Sequence, residues 1–88
     1  MSELAHSFLI QVKDKAGDSV KGVLVAIEWS DVPFPEIALI TDKNGTVSLF
    51  LPAGRFRIIA NAPNGQSGVV NVISNQESSN EQILITLH

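Results

Sequence analysis

The sequence predicts an all-β domain, a sandwich of about seven short antiparallel strands closed around one core. Three observations lead there. Apolar residues, chiefly Val, Ile, Leu and Phe, recur with period two. No window carries a sustained stripe of apolar residues at helical spacing. Turn signals punctuate the chain roughly every 8–12 residues, the spacing of a sandwich or small barrel.

Each element follows from that alternation. The first strand spans about residues 7–13, with Phe8, Ile10 and Val12 on one face and Ser7, Leu9 and Gln11 on the other. A turn at residues 14–18 ends it, and Gly17 supplies the positive φ. The second strand covers about residues 22–29 and points Val23, Val25, Ile27 and Trp29 inward. Pro33 and Pro35 then exclude a central strand and make a semi-rigid loop around Phe34. A short third strand, about residues 37–41, leads to Asn44-Gly45, the best hairpin signal in the chain. The fourth strand, residues 46–51, turns Val47, Leu49 and Leu51 inward. After Pro52-Ala53-Gly54 the fifth strand, about residues 55–62, buries Phe56, Ile58 and Ala60. Pro63-Asn64-Gly65 is a tight turn into a sixth strand over about residues 68–73. A polar loop at residues 75–80 precedes the seventh strand, about residues 82–87, with Ile83, Ile85 and Leu87 inward. The expected core holds Val25, Ile27, Leu49, Leu51, Phe56, Ile58 and Ile85, and residues 1–6 are expected to fray.

Composition narrows the function classes. Eighty-eight residues make one domain spanning residues 1–88, and a 44% hydrophobic content is too high for disorder. Six basic residues against nine acidic ones give a net charge of −3, which offers no footprint for nucleic acid or an anionic membrane. The longest unbroken apolar run is the five residues from Val23 to Ile27, so no membrane insertion is expected. The N-terminus has no signal-peptide pattern and the chain has no cysteine. A cytoplasmic location is the default expectation. Export without a cleavable signal stays open, since bacterial surface sandwiches often lack cysteine as well.

The order of turns resembles the carboxypeptidase regulatory-like domain. The residues that carry the likeness are Asp14, Gly17, Val20, Gly22, Val23 and Val25, then Thr41-Asp42-x-Asn44-Gly45. Leu49-x-Leu51-Pro52-x-Gly54-x-Phe56-x-Ile58-x-Ala60 completes it, and the likeness runs from about residue 8 to 87. It implies a seven-stranded antiparallel Greek-key sandwich of the transthyretin-like (prealbumin-like) kind. Such domains act as folding, docking or carbohydrate-contacting modules, so the fold is implied more strongly than the function. A chain that stands alone departs from the family's usual attachment to larger proteins, which argues against a role as a mere appendage of an enzyme. Related adhesin repeats carry a Lys–Asn isopeptide; its lysine would fall at Val12 and its assisting acid near Ala60, and both are apolar here. Transthyretin-related hydrolases need several histidines and a C-terminal Tyr-Arg-Gly-Ser; this chain ends Ile85-Thr86-Leu87-His88.

No catalytic constellation emerges, and neither an enzyme nor a cofactor is expected. His6 and His88 lie at the two ends of the sequence, and two ligands fall short of a zinc site. Asp14, Asp18, Asp31 and Asp42 fall in turns without calcium-loop spacing, so they read as turn formers rather than metal ligands. Asn44-Gly45-Thr46 is formally a glycosylation acceptor, but the turn reading is preferred in the absence of a leader.

Two sets of interaction residues remain. Leu9, Phe50 and Leu84 fall outward on the first, fourth and seventh strands, which share a sheet if the transthyretin-like order holds. Leu24, Ala26, Ile40 and Ile59 fall outward on the other sheet. Trp29 and Phe34 are the candidate loop contacts for a sugar or peptide, unless they fold over and close the end of the sandwich. The sequence thus reads as a non-catalytic protein-interaction or assembly adaptor acting through a sheet face or edge strand, by self-association or with a protein partner. The alternatives are a carbohydrate- or surface-binding module using Trp29 and Phe34, and a structural subunit of a larger apparatus such as an injection-system spike or fibre.

Overall fold

The computed structural model describes residues 6–74 and 81–88. They form seven strands and no helix: β1 (His6–Lys13), β2 (Leu24–Ser30), β3 (Ala38–Ile40), β4 (Thr46–Leu51), β5 (Gly54–Asn61), β6 (Ser67–Ser74) and β7 (Glu81–Thr86). None of these residues therefore belongs to a helix long and apolar enough to cross a membrane. The loop expected at residues 75–80 and the fraying expected at residues 1–5 lie outside the described residues, whereas His6 already belongs to β1.

The strands divide into a three-stranded sheet, β4-β1-β7, and a four-stranded sheet, β3-β2-β5-β6. Both contribute to one core. Phe8, Ile10, Val12, Leu49, Leu51, Ile85 and Leu87 come from the first sheet and the end of the chain. Val25, Phe56, Ile58, Ala60 and Val72 face them from the second, joined by Val23 just ahead of β2. Every expected core residue is fully buried except Ile27, which is partly buried against the cluster.

Two expectations about pairing need correction. The strands are not all antiparallel: β1 and β7 run parallel, in the register Phe8 with Glu81 through Lys13 with Thr86. A parallel pair needs a long crossover, and here the five intervening strands provide it. Nor does Asn44-Gly45 close a hairpin. The turn forms, with Gly45 N–H donating to Asp42 O at 2.9 Å and Asp42 N–H to Thr46 O at 3.0 Å. The strands on either side of it then part into different sheets. Thr41 holds β3 to the β2 side: its Oγ1 accepts from Val23 N–H and donates to Val20 O. Gly45 is held to the β1 side, where Val12 N–H donates to its carbonyl at 2.8 Å. The turn is a corner of the sandwich, and Gly45 takes it at φ 74°.

The same carboxylate-led turn occurs at Asp14, whose Oδ1 accepts from the backbone of Ala16 and Asp18. At the corner, Asp42 Oδ1 accepts from Asn44 N–H, Thr46 N–H and the Thr46 hydroxyl. These bonds, the one from the Thr46 backbone foremost, hold the Asp42 carboxyl below the usual 3.8. A carboxylate depressed in the folded state stabilises fully above its unfolded pKa, and that contribution is lost as pH falls through the folded pKa. Asp42→Asn keeps an oxygen acceptor but no charge. Its stability deficit in urea is therefore expected to shrink as pH drops below about 4. A deficit of equal size at neutral and acid pH would show that the charge contributes nothing.

The two sheets also meet at a seam. Ser67 and His88 exchange both backbone hydrogen bonds, at 3.2 and 2.8 Å, which joins the start of β6 to the end of the chain after β7. Gly68 makes the approach feasible. A Cβ at that position would lie 2.6 Å from Thr86 O and 2.7 Å from Ile85 Cγ2.

Candidate interaction surfaces

Leu9, Phe50 and Leu84 lie on one outward face, as β4, β1 and β7 share a sheet. Their exposures are 40%, 62% and 54%, so each side chain faces solvent rather than the core. Register fixes how they are arranged. Phe50 stands opposite Ser7, Leu9 lies between Ser48 and Gln82, and Leu84 stands opposite Gln11. Each apolar residue is therefore diagonal to the next, a separation of ~7–8 Å in a sheet and within reach of large side chains. The result is an oblique apolar row, Phe50–Leu9–Leu84, flanked by Ser7, Ser48, Gln11 and Gln82.

The outward face of the other sheet carries a second apolar strip. Ala38, Ala26, Ile59 and Val69 are successive cross-strand partners through β3, β2, β5 and β6. Leu24 and Ile40, also opposite each other, extend it by one pair. Val69 and Ile73, at 58% and 64% exposure, were only weakly legible in the sequence as outward residues. In Val69-Val70-Asn71-Val72-Ile73 both alternate sets carry apolar residues, and Asn71 alone marks the set of Val69 and Ile73 as outward. At the seam this strip meets β7 in a shallow groove of about 980 Å³, lined among others by Ile59, Val69, Leu84 and His88. Leu84 thus belongs to both surfaces.

Trp29 and Phe34 are placed differently. The pairing of β2 with β5 slips between Ile27 and Trp29, leaving Glu28 as an extra residue. A bulge of this kind re-aims the side chains that follow it. Trp29 pairs with Arg57 and is 51% exposed on the outer face, not inward as the alternation predicts. It borders a depression shared with Arg55, Asn71 and Ile73. Phe34 packs against the core, its ring edge-on to Phe56 with centroids 5.5 Å apart. Its packing against the core accords with one of the two roles its position between prolines suggested, closing the end of the sandwich.

Polar groups near Trp29 and Phe34 make local contacts within the fold. Asp31 Oδ1 accepts from Arg55 N–H at 2.8 Å, fixing the loop that holds Phe34 to the start of β5. Arg57 donates to Asn71 and lies 3.9 Å from Glu28, an exposed pair of little energetic weight. Among the described residues no three His, Cys, Asp or Glu side chains converge as metal ligands would. No family model matches the chain, and no curated protein matches it.

Proposed function

We propose that the chain is a non-catalytic interaction or assembly module of the transthyretin-like, carboxypeptidase regulatory-like kind, docking through the outward face of β4-β1-β7. The observation that carries this reading is the oblique row of Phe50, Leu9 and Leu84. It places a mostly exposed phenylalanine at one end of an apolar path across all three strands. Large aromatics contribute most per residue when an interface desolvates them. The grouping of strands 1, 4 and 7 in one sheet supports the kinship on which this reading leans. The occupant is another protein surface, a second copy of the chain included.

The test is Phe50→Glu. An outward charge costs the isolated fold little but is expensive in a desolvated contact. The variant is expected to melt as the wild type does and to lose about tenfold or more in association, read by light scattering and by capture of a purified partner. Unchanged association would remove this face. Unfolding would contradict the outward placement of Phe50.

A second reading rests on Trp29. A half-exposed indole beside Arg55 and Asn71 combines a flat apolar ring with hydrogen-bonding groups, which is the chemistry that contacts sugars. In the same experiments a saccharide response that survives Phe50→Glu and is lost in Trp29→Ala would favour a carbohydrate-binding module.

A further inference from the structure

Of the asparagines, Asn44 and Asn64 are each followed by glycine. That pairing favours a specific covalent reaction, because glycine has no Cβ to obstruct its own amide nitrogen. The nitrogen, after losing its proton to base, attacks Cγ of the asparagine. A C–N bond forms, the Cγ–Nδ2 bond breaks, and ammonia leaves. Water then opens the resulting succinimide at either carbonyl, giving aspartate or isoaspartate. The sequence treats the two sites alike, but the fold does not.

Both glycine N–H groups are tied up in turns. Gly45 donates to Asp42 O at 2.9 Å, and Gly65 donates to Ala62 O at 3.0 Å. Reaction therefore requires each turn to open, and its rate follows the free energy of local opening. Among the described residues, the hydrogen bonds around Asn64 are internal to residues 62–66, and of these residues Ala62 packs against the core. Ala62 N–H donates to Gln66 O, Gln66 N–H donates to Asn64 Oδ1, and Asn64 Nδ2 donates to Gln66 Oε1. Nothing lies within 4 Å of where a Cβ on Gly65 would stand. The tip can open without disturbing another element.

Around Asn44 the local bonds to Asp42 are joined by restraints from elsewhere in the fold. Gln11 Nε2 donates to Asn44 O at 3.0 Å, and Val12 N–H donates to Gly45 O at 2.8 Å. Gly45 is buried, and a Cβ there would lie 2.9 Å from Val12 O and 3.0 Å from Val20 N. Opening this turn means detaching it from β1 and from the segment ahead of β2.

We propose that Asn64 is a site of spontaneous deamidation in the folded protein and that Asn44 is protected from it by the β1 contacts. The modified tip gains a negative charge and, as isoaspartate, one extra backbone methylene. It lies between Asn61 and Ser67, which both line the groove at the seam. Ageing of the protein would thus place a carboxylate beside that groove.

The experiment incubates the full chain, folded and in denaturant, in mildly alkaline buffer. Trypsin separates the sites, since Lys43 and Arg55 bracket Asn44 while Asn64 follows Arg57. Folded protein is expected to accumulate a more acidic species with a mass gain of about one unit, mapped to Asn64. The Asn44 peptide stays unchanged when folded and reacts at a rate similar to Asn64 when unfolded. Gln11→Ala is expected to raise the Asn44 rate in protein that remains folded by circular dichroism. Equal rates at both sites in the folded chain would overturn the proposal. So would an Asn64 that stays intact for as long as it takes the unfolded chain to modify both.

Discussion

Leu49→Ala is expected to lower stability by about 2–4 kcal/mol, from the lost transfer of the removed atoms and the cavity they leave. Leu49 is buried on β4 opposite Phe8, and both belong to the single core shared by the two sheets. The strand is an edge strand with one partner, β1, so its attachment depends heavily on what its inward side chains bury. In a domain of ~5–8 kcal/mol such a loss is a large fraction of the whole. Urea denaturation with a lower midpoint and an unchanged m-value would report it as a loss of stability. A midpoint that does not move would mean that Leu49 is not part of a close-packed interior.

Gly68→Ala is expected to cost about 1–3 kcal/mol, the range for forcing extra volume into a packed site. The obstruction differs from ordinary core crowding. The nearest atom to the new methyl is a backbone oxygen, that of Thr86, at 2.6 Å, and no rotamer change moves it. Relief requires β6 and β7 to separate, which stretches the paired bonds between Ser67 and His88. Amide exchange at those two positions should accelerate more than at Phe8 or Ile58 if the strain is relieved at the seam. Uniform acceleration, or stability within about 0.5 kcal/mol of wild type, would show that the two sheets are not held at this point.

Much of this was legible in the residues themselves. The inward sets Phe8-Ile10-Val12, Leu49-Leu51 and Phe56-Ile58-Ala60 are buried as the alternation predicts, and β4 occupies the residues expected of it. Alternation specifies which way a side chain points, not which strand lies alongside. The parallel direction of β7 beside β1 was hidden for that reason, and the sharing of one sheet by strands 1, 4 and 7, with strand 3 in the other, came only from the resemblance. Trp29 failed for another. Ile27-Glu28-Trp29-Ser30 alternates without a flaw, and the bulge that turns Trp29 outward arises from the pairing with β5, which no local pattern records. The outward placement of Leu9, Phe50 and Leu84 was legible because their neighbours on both sides lie in the core or pack against it. The groove at the seam was not, because it is built from β5, β6 and β7 together and depends on Gly68, a residue with no side chain to read.

The pairing of β1 with β7 has a kinetic consequence. Among the seven described strands, β1, the central strand of the smaller sheet, is synthesised first, and β7, one of its two neighbours, is synthesised last. Phe8 pairs with Glu81 only after nearly the whole intervening chain has been made. The loop-closure entropy of that contact must be met before the contact returns anything, which makes folding slow relative to chains dominated by local pairings. Until β7 arrives, β1 offers a row of unpaired backbone groups along one edge, the kind of template on which strands from neighbouring nascent chains can add.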